Sequence, residues 1–294
     1  MKVAVIGGAG RMGRWLVGFL AREGHQVAAA DVNGEGLLRG KGKAAVDIMP
    51  TTGAVKAADA VLISVPIDGF EEVAEEVGRC VRPGQIVMDV TSVKVAPVEA
   101  MHRYIKEGVV LGAHPMFGPG AGGIGNKNIV LTPTSAEEMA LAERVKQYLE
   151  ARRARVTLMS PDEHDEMMAI VLGLPSFVAL VSADTLLSLG KMGQARAVSG
   201  STHRLLLMLA ESVVSEGSEL YASLQMSLPN MEGIEEVFRG ASREWAGLVR
   251  RRDRQGFIER VQALKARLAD SDPEFGKAYE DMYRVLEGLQ DRAV

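Results

Sequence analysis

The sequence predicts an α/β fold, a doubly wound parallel sheet followed by an all-helical domain. Three observations carry this reading. Short apolar runs alternate with helical patterns through the first half, as a parallel sheet covered on both faces requires. A glycine run, Gly7-Gly8-Ala9-Gly10-Arg11-Met12-Gly13, joins the first apolar run to the first helical one, and Asp31 closes a second strand about twenty residues on. Beyond Ser160 the strand pattern stops and helical spacing of apolar residues takes over.

The expected strands are Lys2–Ile6, Gln26–Ala30, Ala60–Val65, Ile86–Asp89, Val109–Ala113, Ile129–Thr132 and Arg155–Leu158. The first runs into the glycine loop and a helix from Arg14 to Arg22, an order that marks a Rossmann-type dinucleotide site. In that motif Gly8 permits the tight turn, Gly10 lets the backbone approach a pyrophosphate, and Gly13 lets helix and sheet pack closely. Arg11 and Met12, between the second and third glycines, belong to the expected cofactor set, and the N-terminus of the helix offers unpaired N–H groups to the phosphates. Asp31 accepts from both ribose hydroxyls and repels a 2′-phosphate, which favours NAD over NADP. Ser64 and Pro66, at the end of the third strand, complete the expected cofactor set. The competing reading is a glycine-rich turn that only packs. Between the last two strands, Thr134 and Glu137 are placed as a capping box for a helix carrying Met139, Ala142, Val145 and Leu149.

Residues 1–159 are therefore expected to form the dinucleotide-binding domain and 160–294 an all-helical domain for substrate binding and dimerisation. Ser160-Pro161-Asp162-Glu163 begins the second part with a capping serine, a proline at the first helical position and a glutamate three residues after the cap. Helices follow: a long one from Pro161 interrupted near Pro175, then Thr202–Ser215, Ser218–Met226, Met231–Arg251, Arg254–Ala269 and Pro273–Leu289. No regulatory domain is read after them. The stretch Met167–Leu189 is apolar on nearly every side and must be surrounded by protein. A homodimer sharing these helices is the economical way to do so.

Bulk properties narrow the function. A net charge of −4 over 294 residues offers no basic field for nucleic acid. The single cysteine, Cys80, excludes an internal disulfide and fits a reducing cytoplasm. Met1 leads straight into a strand, so no leader is expected. The longest uncharged stretch, Met167 to Ala183, falls short of the ~20 residues of a spanning helix and contains Pro175; it reads as a buried helix, with no membrane association. His25, His102 and His203 lack partners at ligand spacing, and no metal is expected.

Two loops leave carboxyl ends of strands, where open parallel sheets bind ligands. One holds Asp89-Val-Thr-Ser-Val-Lys94, the other Gly112-Ala-His-Pro-Met-Phe-Gly-Pro119. They place Ser92 and His114 beside the nicotinamide. A neutral His114 can take a proton from a substrate hydroxyl while hydride leaves the same carbon. Ser92 can orient either partner. The plainer alternatives are a loop histidine bonded to backbone and a turn serine capping the next helix. Lys94 reads as a solvated or phosphate-facing charge, and His164, in Glu163-His164-Asp165, as a brace at the interdomain joint. Arg204, within an apolar helical run, must find an anion or reach solvent; it is the candidate for a substrate carboxylate, against a structural ion pair.

These loops identify a resemblance. The chain is similar over nearly its whole length to the prephenate/arogenate dehydrogenase family of tyrosine biosynthesis. The matching pieces are Gly8-Ala-Gly-Arg-Met-Gly13, Thr91-Ser-Val-Lys94, Gly112-Ala-His-Pro-Met-Phe-Gly-Pro119, Glu163-His-Asp165 and Glu219-Leu-Tyr-Ala-Ser-Leu-Gln225. The resemblance implies oxidative decarboxylation of a cyclohexadienol to 4-hydroxyphenylpyruvate or tyrosine. Hydride passes to NAD, His114 accepts the hydroxyl proton, and carbon dioxide leaves as the ring becomes aromatic. It further implies that Ser92 bonds to His114 or the substrate hydroxyl, and that the helical domain supplies cations for carboxylates while pairing as a dimer. Two positions depart from the family pattern: Ser176 stands where a histidine is common and Ser212 where a carboxylate-binding arginine is. Both are substrate contacts in the family. Arg204 lies two turns before Ser212 on about the same helix face and is expected to take over part of that role. A related NAD-dependent dehydrogenase for a different cyclic or hydroxy acid, and a non-catalytic NAD-binding paralogue, stay open as alternatives.

Overall fold

Successive residues of a strand point to opposite faces, and in the first strand both faces are apolar: Val3 and Val5 on one, Ala4 and Ile6 on the other, all buried. Such a strand needs helices on both sides. The computed structural model, which describes residues 1–33 and 46–290, supplies them. β1 (Lys2–Ile6) leads through α1 (Arg11–Arg22) to β2 (Gln26–Ala30). Then come β3 (Val46–Ile48), α2 (Thr51–Ala57), β4 (Ala60–Ile63), α3 (Phe70–Gly78), β5 (Ile86–Asp89), α4 (Val95–Tyr104) and β6 (Val109–Pro115). β7 (Asn128–Thr132), α5 (Ala136–Glu150) and β8 (Arg155–Leu158) complete a sheet ordered β3-β2-β1-β4-β5-β6-β7-β8. On one face Ala4, Ile6, Val61 and Ile63 meet Val55, Phe70, Val77 and Met101 of α2, α3 and α4. On the other, Val3, Val5 and Val27 meet Leu16 and Leu20 of α1, and Leu111 and Leu131 meet Leu141 and Ala142 of α5. Burial of each large side chain contributes about 1.5–3 kcal/mol.

Three local features differ from the sequence reading. β3, with an aspartate between two apolar residues, pairs with β2 alone and is too short to show a pattern. The sheet is mostly, not wholly, parallel. β7 runs antiparallel to β6, with Gly112 opposite Thr132 and Pro115 opposite Ile129. A parallel return needs a crossover, usually helical, and residues 116–127 hold glycines and no helix. The cap of α5 also sits one residue later than expected: Ser135 Oγ accepts from the Glu138 N–H (3.2 Å), and Glu138 accepts in turn from the Thr134 N–H (2.7 Å).

The chain divides into two compact units, the first Met1–Met168 with Met226–Pro229, the second Ala169–Gln225 with the chain from Asn230 on. The expected boundary lies before α6 (Pro161–Met168), and the units divide after it. The capping box that starts α6 forms as read: Ser160 Oγ accepts from the Glu163 N–H (3.2 Å), and the Glu163 carboxylate accepts from the Ser160 N–H (2.8 Å). The second unit contains α7 (Leu174–Ser188), α8 (Met192–Ala197), α9 (Ser201–Val214), most of α10 (Ser218–Ser227), α11 (Met231–Arg251), α12 (Arg254–Ser271) and α13 (Ala278–Gln290). The six-residue α8 was not read from the sequence.

Pro175 does not end the long helix. A proline removes one backbone donor, and the chain adjusts through a π-helical turn, Ala169–Gly173, before continuing as α7. Ser176 bonds back to the same turn, donating to the carbonyls of Leu172 (2.7 Å) and Gly173 (3.0 Å). The resulting helix, Pro161–Ser188, is long and apolar enough to cross a membrane by length and composition. Only 17% of its most apolar stretch is buried within the chain, so this chain alone does not surround it as the sequence reading requires.

Candidate active site

The strand order reverses between β1 and β4, and the loops at their carboxyl ends meet. Gly7, not Gly8, makes the tight turn: its φ is +84°, and a Cβ there would overlap the Ser64 carbonyl. A Cβ on Gly13 would overlap the Gly7 carbonyl, so α1 packs against the loop backbone. The Gly7 and Gly8 N–H groups both donate to the Ala30 carbonyl (2.8 and 3.0 Å), which ties the loop to the end of β2. Asp31 follows directly. Its carboxylate accepts from Ala9 N–H (2.9 Å) and Asn33 N–H (2.8 Å). Gly10, exposed, precedes Arg11 as the N-cap of α1 and supplies no side-chain cap, which leaves the first N–H groups of the helix open to an anion. Arg11 is exposed, Met12 half-buried, Ser64 half-buried and Pro66 exposed. An acidic side chain beside a glycine cradle at a bare helix N-terminus fits a dinucleotide.

Two strands further along, His114 is the penultimate residue of β6, not a loop residue as expected, and pairs with Val130 of β7. It is buried, at 5% exposure. Its Nδ1 lies 2.9 Å from Nε2 of His164, and Nδ1 of His164 lies 2.7 Å from Oδ1 of Asp165. The two rings meet edge to face, with centroids 5.1 Å apart. Asp165 also accepts the N–H of Lys94 (2.7 Å) and of Val95 (3.0 Å). It thereby caps α4, the role considered for Ser92. Ser92 itself is half-buried and makes no side-chain hydrogen bond among the described residues. It stands three residues after Asp89, which pairs with Gly112, so Ser92 just past β5 and His114 near the end of β6 lie at the carboxyl ends of adjacent strands.

Lys94 overturns its sequence reading as a solvated charge. It is wholly buried. Its ammonium is paired with Asp89 and donates to the Ala113 carbonyl at 2.8 Å. Gly112 makes the room, since a Cβ there would overlap Thr132 Oγ1 and stand 3.2 Å from Lys94 Cδ. Burial pulls Lys94 below the ordinary lysine range, and the Asp89 charge opposes that pull. His114 is held well below its ordinary value of 6.5, first by burial, then by the Lys94 charge, then by His164. A neutral imidazole at neutral pH results. The periodic pattern gave no sign of this network, because its members come from β5, α4, β6 and α6; the run Glu163-His-Asp165 was the one visible trace.

In the second unit, Ser176 is buried at 3% exposure. Its hydroxyl donates to the Leu172 and Gly173 carbonyls and accepts from Gln225 Nε2 at 2.7 Å, which commits its only proton. Ser212 is exposed on α9 and donates to the Leu209 carbonyl at 2.8 Å. Arg204, half-buried on the same helix, has no ion pair among the described residues, so the structural pair considered for it is not present there.

Residues 16–158 match the family profile described as prephenate dehydrogenase, nucleotide-binding domain. The probable arogenate/prephenate dehydrogenase of Methanocaldococcus jannaschii is 30% identical over 96% of this chain, which spans 64% of that protein's length. The 4-amino-4-deoxyprephenate dehydrogenase of Streptomyces pristinaespiralis is 26% identical over 97% of each chain. In three dimensions the chain is similar to prephenate dehydrogenase from A. aeolicus, solved in complex with hydroxyphenyl propionate and NAD+, with a TM-score of 0.76 and 22% identity over 92% of this chain and 98% of that one. With residues 16–158 matching the nucleotide-binding domain of prephenate dehydrogenases and relatives aligned along nearly its full length, the chain is similar to the prephenate/arogenate dehydrogenases.

Proposed function

We propose that this chain is an NAD-dependent prephenate or arogenate dehydrogenase that carries out an oxidative decarboxylation. The observation that carries the reading is His114: a buried imidazole, kept neutral, at the carboxyl end of the strand two places from the switch point. NAD, when bound, supplies the hydride acceptor. His114 takes the proton of the substrate hydroxyl as hydride leaves the same carbon. The bond to the ring carboxylate then breaks, and its electrons complete the aromatic ring. Ser92, whose hydroxyl has no partner among the described residues, orients the substrate oxygen or the imidazole. Asp31 holds the adenosine ribose and selects NAD, because a 2′-phosphate would stand against its charge. Arg204, lacking a carboxylate partner among the described residues, takes a substrate carboxylate.

One specific observation favours a second reading. Ser176 has its hydroxyl committed to its own helix, and a relative aligned over 97% of both chains is named for an amino-substituted substrate. A cyclohexadiene carrying an amine in place of the hydroxyl is thus the competing substrate. One assay separates the readings: purified protein with NAD and, in turn, prephenate, arogenate and 4-amino-4-deoxyprephenate, followed by NADH absorbance. NADH with either of the first two supports the proposal. NADH with the third alone supports the second reading, and none with any of them refutes both.

A further inference from the structure

We infer that His164 and Asp165 are positioning residues for the reaction: a buried His114–His164–Asp165 chain fixes which nitrogen of His114 acts as the base. The inference rests on the proposed role of His114 and adds the machinery behind it.

The direction of each hydrogen bond follows from what the end of the chain can do. A carboxylate only accepts, and Asp165 already accepts the N–H groups of Lys94 and Val95. His164 therefore donates from Nδ1 to Asp165 (2.7 Å). A neutral imidazole has one donor and one acceptor nitrogen, so the neutral form of His164 presents a lone pair at Nε2. His114 must donate to it from Nδ1 (2.9 Å), which leaves the lone pair of His114 on Nε2. The charged neighbours are accounted for: Lys94 at the head of α4 is paired with Asp89 of β5, and Asp165 stands beyond His164 on α6.

When the substrate hydroxyl gives its proton to His114 Nε2, the imidazolium keeps its Nδ1–H bond to His164. The positive charge then lies one ring away from the Asp165 carboxylate. No other proton has to move, and the proton returns to solvent with product release. In the reverse tautomer, with the proton on Nε2, the lone pair would face His164 and the substrate would meet a donor. The same logic underlies the aspartate of the serine-protease triad, which holds a histidine in its working tautomer.

The test has two arms. Long-range 15N–1H correlations on the labelled, ligand-free protein at neutral pH read the tautomers without any turnover. A proton on Nδ1 and a bare Nε2 are expected for both His114 and His164; a proton on Nε2 of His114 overturns the inference. Steady-state kinetics form the second arm. His164→Leu, which removes the acceptor, is expected to lower kcat by about 10²-fold, the lower end of what loss of a general base costs, with KM for NAD within about two-fold. His164→Gln, whose side-chain oxygen accepts in its place, is expected to recover at least about ten-fold of that loss. A His164→Leu enzyme as fast as wild type overturns the inference while leaving His114 as the base. Wild-type protein inactive on all three substrates refutes the functional reading instead, and the tautomer measurement still decides the chain.

Discussion

At the scale of single residues, the site depends on one histidine staying uncharged and one lysine staying buried. His114→Asn is expected to lower kcat about 10²–10⁴-fold and leave NAD affinity nearly intact, because it removes a general base and nothing near the glycine loop. Equal turnover in the variant would remove His114 from the chemistry. Its depressed pKa also sets two pH dependences. The acidic limb of kcat/KM is expected below 6.5, since the free enzyme's base titrates below the ordinary histidine value. Stability follows the same sign. Between the folded and unfolded pKa values the unfolded chain binds more protons, so the contribution of neutral His114 is complete above about 6.5 and is lost as pH falls through the folded value. Melting curves across pH should show this loss, reduced in His114→Asn. Lys94→Met should be severe for a different reason: it leaves the buried Asp89 charge without its partner, at a cost of about 3–5 kcal/mol. Urea unfolding reads that cost, and a wild-type midpoint would mean that the ion pair is dispensable.

At the scale of elements, strands and long helices were legible and their meeting points were not. The expected strands carry enough Val, Ile and Leu to announce themselves, and the capping box at Ser160 and Glu163 formed where the spacing put it. β3 escaped because three residues with an aspartate at the centre give no alternation. The reversal at β7 escaped because direction is set by the connection, a glycine-containing loop without a helix, and not by the strand's own residues. Of the candidate site, Ser92 and the glycine loop were legible from their position after strands, and His114 from its place at the carboxyl end of one, though it lies in the strand itself. Lys94 was misread because a lysine in a loop is ordinarily solvated; only the sheet brings Gly112 beside it. That contact is testable. Gly112→Ala places a methyl against Thr132 Oγ1, Val98 and the Lys94 stem, and overpacking of this kind costs about 1–3 kcal/mol. The displaced lysine should also release its hold on the Ala113 carbonyl, the peptide before His114. A fall in kcat that accompanies the stability loss is therefore expected, and an unchanged denaturation midpoint would show that the position tolerates a side chain.

At the scale of the whole molecule, the apolar helices of the second unit remain to be covered. Leu180 and Val181 of α7 are 39% and 40% exposed, Leu187 66%, and Met208 and Leu209 of α9 38% and 39%. Helices α7 and α9 pack on each other, and both carry these exposed apolar residues. Scattered exposed leucines need no explanation, but several on two packed helices point to an interaction surface. The long helix is interrupted by no lysine or arginine between Pro161 and Ser188, yet it begins with Asp162, Glu163, Asp165 and Glu166 and carries Asp184 near its end. Acids at both ends are better matched to a protein partner than to a bilayer whose anionic surface they would meet. A second copy of the chain is the partner proposed, because two-fold pairing lets one apolar patch cover its own equivalent. Light scattering on the purified protein should give twice the 31.5 kDa chain mass. The double substitution Leu180→Glu with Val181→Glu should shift that mass toward the monomer, since four buried carboxylates per dimer would each need desolvation. A wild-type protein that stays monomeric at micromolar concentration would reject self-association and leave the surface to a different partner.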